Sequence, residues 1–182
     1  WKKPYPDLAY QPMVELLRYL RANGYKTYIV TGGGQDFVRT ISEQAYGIPP
    51  EQVIGTAGTT TYSHDKSGKA VLTKDPKVML DDNNAGKAEG IHLMIGRRPH
   101  FAFGNTSGDQ QMLEYTGTGD GARLSMLLLH DDATREYAYG PARGLPDTKV
   151  GAFSVALDSI AKARGWTVVS MKKDWKRVFA FE

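Results

Sequence analysis

The 182 residues, 41% of them hydrophobic, are the size of one globular domain with a single core. Lysine and arginine exceed aspartate and glutamate by only 3, and no basic cluster rises above Lys172-Lys173 and Arg97-Arg98, which disfavours a nucleic-acid partner. The absence of cysteine removes disulfides and thiolate metal sites, and no uninterrupted apolar stretch approaches the roughly 20 residues that cross a bilayer.

Met13, Leu16, Leu17 and Leu20 repeat at helical spacing and Asn23-Gly24 supplies a stop, which predicts a helix over 11–23. An apolar run predicts a strand over 26–31. Gly32 to Gly34 then open a second helix with Phe37, Ile41 and Ala45 on one face, ended near Gly47 and Pro49-Pro50. From 52 to 75, short alternating pieces around Asp65-Lys66-Ser67-Gly68 predict a β-hairpin projecting from the core. Val78-Met79-Leu80 leads into Asp81-Asp82-Asn83-Asn84, a short helix over 86–95 and a strand over 99–103. Ser107 with Gln110 reads as a capping box for a helix near 108–116. A buried strand over 123–129 follows. Next, Asp147 is the expected cap of a helix with Val150, Phe153, Leu157 and Ile160 inward, stopped by Gly165. A last strand over 166–169 precedes a tail, through Phe181, that packs or frays. Alternating strands and helices predict a single α/β domain over 1–182, its mostly parallel sheet covered by helices on both faces.

In open α/β sheets, ligands gather beyond the carboxyl ends of the strands. Thr31 and Asn105 both occupy such ends. A hydroxyl followed by Gly32 and Gly33 lets the backbone approach an anion closely, and a helix N-terminus behind it adds partial positive charge. A glycine turn that merely tightens strand–helix packing is the plainer reading. Lys87, at the start of a helix after a polar turn, is by itself a solvated charge, but beside a phosphate it is a point charge suited to neutralising oxygens during transfer. Asn105 and Asp109 flank a loop at a strand end, where few protein oxygens and open positions for water suit Mg²⁺. Ordinary turn and cap chemistry accounts for the same two residues.

Other chemistries lack their residues. Phe37 stands where a dinucleotide fingerprint needs its last small residue, and Gly117-Thr118-Gly119-Asp120-Gly121 precedes a strand instead of following one. His64, His92, His100 and His130 share no metal-ligand spacing and read as surface or packing residues. Neither a Gly-x-Ser-x-Gly elbow nor a Gly-x-x-x-x-Gly-Lys-[Ser/Thr] loop is present.

Taken in order, Ile29-Val30-Thr31-Gly32-Gly33, Lys87, and Phe103-Gly104-Asn105-Thr106-Ser107-Gly108-Asp109-Gln110-Gln111-Met112-Leu113 resemble the second, third and fourth motifs of the haloacid dehalogenase superfamily, nearest its phosphoserine-phosphatase-like branch. The resemblance runs from about residue 11 to the C-terminus. It implies a three-layer α/β/α Rossmann-like core and a Mg²⁺-dependent phosphomonoesterase that forms an aspartyl-phosphate. By position, Thr31 and the Gly32–Gly33 loop would hold phosphate oxygens, Lys87 would stabilise charge on nucleophile and phosphoryl group, and Asn105 and Asp109 would complete the metal site.

Two departures stand out. The fourth motif of that family usually begins Gly-Asp, where this chain has Gly104-Asn105, so a neutral amide replaces an anionic ligand. The Asp-x-Asp of the first motif, source of the nucleophile, occurs nowhere. Asp7 has no buried strand before it, and Asp81-Asp82 falls at the wrong place in the order. The expectation is that a nucleophile strand and cap segment precede Trp1, joined in cis, cleaved or swapped, and that a periplasmic or secreted location is favoured over a cytoplasmic one. The rival expectation is an inactive fragment or a non-enzymatic module that binds phosphate or another anion.

Overall fold

The computed structural model describes residues 2–148 and 151–182. The elements follow in the order α1 (Gln11–Ala22), β1 (Ile29–Gly34), α2 (Gln35–Arg39), α3 (Ser42–Tyr46), β2 (Val53–His64), β3 (Ala70–Leu80), α4 (Ala85–Ile95), β4 (Phe101–Gly104), α5 (Gln110–Gly117), β5 (Leu124–Leu129), α6 (Val155–Ala163), β6 (Thr167–Ser170) and α7 (Met171–Asp174). No helix among the described residues is long and apolar enough to cross a membrane.

The strand period decides the layers. Ala102, Leu127, Leu129 and Val168 turn to one face, where Ile91 of α4, Met112 and Leu113 of α5, and Leu157 and Ala161 of α6 cover them. Their neighbours Phe103, Leu128 and Val169 turn to the other, against Met171, Trp175, Val178 and Phe179 of the C-terminal segment. Alternate residues of one strand thus feed two cores, which is what a sheet covered on both sides requires. The tail packs: Val178 and Phe179 are buried, and Phe179 bridges back to Tyr10.

These strands form two sheets. In the first, β1 pairs β2 in parallel and β2 pairs β3 antiparallel; in the second, β4, β5 and β6 are parallel throughout. β1 and β4 are edges, each with one neighbour. Between them runs a groove of about 660 Å³, lined by Val30 and Tyr28, by Phe101 to Phe103, by the apolar face of α1 and by Ile91 and Met112.

Several local expectations change. The helix predicted after Gly34 breaks into α2 and α3, because Thr40 turns its hydroxyl back to the Phe37 carbonyl and Arg39 bonds the Pro50 carbonyl; Phe37 is exposed at 71%, not packed inward. The strand expected over 26–31 starts at Ile29 and runs through the glycines. The hairpin runs past 75 to Leu80. The capping box is formed by Thr106 and Asp109, not Ser107 and Gln110, since a carboxylate accepts backbone N–H groups more strongly than an amide. Ser154, not Asp147, caps α6, accepting from the Leu157 N–H. Val150 and Trp1 lie outside the described residues.

The entry to α4 depends on two glycines. A Cβ on Gly86 would lie 1.8 Å from the Asp81 carbonyl oxygen, and one on Gly90 would lie 2.7 Å from Asp82 Oδ1 and 3.0 Å from Ile54. Four residues apart, they present one bare stripe of the helix to the ends of β2 and β3.

Candidate active site

β1 carries Thr31 and breaks register between it and Gly34, a glycine loop shaped by small residues. A Cβ on Gly32 would lie 2.0 Å from Asn83 Oδ1, so the Asn83 side chain of the Asp81–Asn84 turn lies directly over this loop. Thr56 ties the two together, donating to the Gly32 carbonyl at 2.9 Å while accepting the Asp82 N–H at 3.1 Å. The Gly33 N–H donates to Thr31 Oγ1 at 3.1 Å, which fixes the threonine rotamer and leaves its hydroxyl proton to donate elsewhere. α2 has five residues, too short to contribute much dipole, so the loop's own donors would carry anion binding.

Lys87 lies in the first turn of α4 and is 6% exposed. Its Nζ donates to the Val30 carbonyl at 2.7 Å and pairs with Asp109 Oδ1 at 3.2 Å, leaving one of its three N–H groups. A buried ammonium held this way is a fixed positive charge at the mouth of the groove. It also joins the two sheets, since Val30 belongs to β1 and Asp109 to the loop after β4. The Asn84 N–H adds a second tie, donating to the Gly108 carbonyl at 3.2 Å.

Asp109 is spent on structure. Its Oδ2 accepts the backbone N–H groups of Asn105 at 2.8 Å and Thr106 at 3.0 Å, while Oδ1 faces Lys87. It therefore sets the Asn105 loop and the lysine together. Asn105 Nδ2 lies 3.3 Å from His130 Nε2, so the amide oxygen is the end left over for a ligand. Among the described residues no three histidine, aspartate or glutamate side chains converge as metal ligands.

Sequence reasoning missed two contributors. Asp82 was set aside by its order in the chain, yet it is fully buried beside Thr31 and Lys87. Burial pushes its carboxyl up to about 6, against the pull of the Lys87 ammonium and the Thr31 N–H. His130 was read as surface or packing; it is buried at 2% exposure at the end of β5 and touches Asn105. The signal available for it was position: it follows a buried apolar strand directly, as Asn105 nearly does.

The structure thus joins Thr31, Gly32 and Gly33 to Lys87 through Val30 and Asp82, and Lys87 to Asn105 through Asp109. The arrangement offers a hydroxyl, a glycine loop, a buried cation and an amide oxygen around one end of the groove.

The model of haloacid dehalogenase-like hydrolases matches residues 2–114. No curated protein matches. Among solved structures, a phosphoserine phosphohydrolase-like protein from Francisella tularensis subsp. tularensis SCHU S4 is similar at 18% identity and a TM-score of 0.47. The alignment covers 69% of this chain and 53% of that one, so the chain spans about half the length of that relative.

Proposed function

Because the chain belongs to the haloacid dehalogenase-like hydrolase family, we propose that it is the phosphate-holding body of a Mg²⁺-dependent phosphomonoester hydrolase whose nucleophile arrives on a further strand. The observation that carries this reading is the split sheet. β1 and β4 are unpaired on facing edges and both end at the Thr31–Lys87–Asn105 cluster. The groove of about 660 Å³ between them is lined by Tyr28 and Val30 of one edge and Phe101 to Phe103 of the other, a bed for an extended strand whose carboxyl end would reach the cluster.

An aspartate at that end would attack phosphorus while the ester P–O bond breaks, the leaving alkoxide taking a proton from a second carboxyl on the same strand. Water then attacks the aspartyl-phosphate, releasing phosphate and restoring the carboxylate. Thr31 Oγ1 and the Gly32–Gly33 loop hold the non-bridging oxygens, and Lys87 neutralises the charge that builds on them. Asn105 Oδ1 suits Mg²⁺ as a neutral oxygen donor, with Asp109 fixing its backbone from behind, and the strand's carboxylates would supply the anionic ligands. When bound, the ion lowers the charge on the phosphoryl oxygens. The substrate is a small phosphorylated molecule.

The test is turnover of p-nitrophenyl phosphate. The 182-residue chain alone is expected to be inert, and a chain carrying an Asp-x-Asp strand ahead of residue 1 to be active; equal activity would overturn the mechanism. Phosphate binding at the Thr31 loop with no turnover in either form would instead identify an anion-binding module.

A further inference from the structure

Behind Asn105 lies a buried polar chain that the phosphate reading does not use. His130 stacks on Tyr139, ring centroids 4.3 Å apart and planes at 21°, and leans on Tyr10 at 5.8 Å. Its Nδ1 is 3.4 Å from Glu136 Oε2, and its Nε2 is 3.3 Å from Asn105 Nδ2. Burial, with the Glu136 carboxylate nearby, holds the Tyr10 hydroxyl well above its ordinary range.

A glutamate carboxylate only accepts, so the ring nitrogen facing it carries a proton. In the neutral ring Nε2 is then bare and accepts from the Asn105 amide nitrogen that faces it. One hydrogen of the amide is thereby taken on the buried side, which turns the amide nitrogen inward.

We propose that His130, held by Glu136, is a positioning residue that fixes the side-chain amide of Asn105, turning its nitrogen inward and presenting Oδ1 to the site as the cation's oxygen donor. An asparagine is ambiguous in a way an aspartate is not: rotated by half a turn it offers a site N–H groups that repel a cation. The His130–Glu136 pair removes that ambiguity. The loop carrying them is itself pinned. Asp132 accepts the Thr134 and Arg135 N–H groups, and Arg135 reaches the Met171 and Trp175 carbonyls.

The meaning of this orientation rests on the reading of Asn105 as a cation ligand, but the orientation itself does not, and two measurements separate them. ¹⁵N NMR of the imidazole in the 182-residue chain is expected to show Nδ1 protonated and Nε2 bare, with a coupling from an Asn105 amide proton to Nε2. A ring protonated at Nε2, alone or at both nitrogens, turns the amide oxygen inward and overturns the proposal. Mg²⁺ titration of the form carrying the added Asp-x-Asp strand is the second measurement. His130→Ala is expected to weaken binding roughly 10-fold or more, His130→Gln to retain it because the glutamine oxygen can accept the same N–H, and His130→Ala to have no effect once Asn105→Asp makes the two oxygens equivalent. Equal losses in both backgrounds would mean a packing role only and would overturn the proposal. If the form carrying the added Asp-x-Asp strand binds no Mg²⁺, the cation reading falls, while the ring measurement still decides the orientation.

Discussion

The two sheets contribute to the site in opposite ways. In the β4–β5–β6 sheet the central strand has a neighbour on each side and a core on each face, and Leu127, Leu128 and Leu129 are buried at 0%, 5% and 3% exposure. In the β1–β2–β3 sheet, β1 is an edge without a fully buried residue, and the hairpin carries Tyr62, Leu72 and Val78 to solvent at 64%, 70% and 61% exposure. The thick half supplies Asn105, Asp109 and His130, set rigidly. The thin half supplies Thr31 and its glycine loop on a strand with one edge open. Lys87 spans the two, so the phosphate handling proposed for this site would depend on the less supported half being held to the better supported one.

The contrast can be broken most directly in the cores. Leu127→Ala is expected to destabilise the chain by about 2–5 kcal/mol in urea unfolding, whereas Leu72→Ala on the hairpin should stay within about 0.5 kcal/mol. Comparable losses would mean that the hairpin is buried in solution and the contrast false. A cut at the bridge comes next. In a form made active by the added strand, Lys87→Ala is expected to lower kcat roughly 10²-fold or more, because a charge aimed at the transition state is lost; a change confined to KM would make Lys87 a binding group only.

The last test concerns Asp82, in the thin half. Its folded pKa of about 6 lies above the ordinary 3.8, so its proton favours the folded state. That contribution is complete below about pH 4 and is lost as pH rises through about 6. Asp82→Asn is therefore expected to add about 2 kcal/mol of stability at pH 8 and almost nothing at pH 3.5. A gain of the same size at both pH values would show that burial of charge is not the cause.

The parts of the site carried by contiguous residues were legible in the sequence. Thr31-Gly32-Gly33 and Gly104 to Asp109 each combine an apolar strand with the loop that ends it, so periodicity and turn chemistry locate them together. Lys87 was legible only by its order between them. The His130–Glu136–Tyr139 loop was not, because its partner Asn105 lies on another strand and no spacing encodes that contact. Phe37 misled for a related reason: the helical period continues through Ile41 and Ala45, but a side-chain bond from Thr40 interrupts the backbone first. The broken sheet could be inferred from the absent Asp-x-Asp, whereas its groove and the α1 face lining it required the fold.

The bare stripe of α4 sets how freely this chain can vary. Glu89, His92 and Leu93 are exposed and can change with little penalty, whereas at Gly86 and Gly90 even one added carbon would meet a backbone carbonyl, a buried carboxylate and a core methyl. Any such carbon lifts the helix that seats Lys87. Two positions with no side chain and no chemistry of their own therefore restrict the sequences open to this fold more tightly than most of the residues that would touch a phosphate.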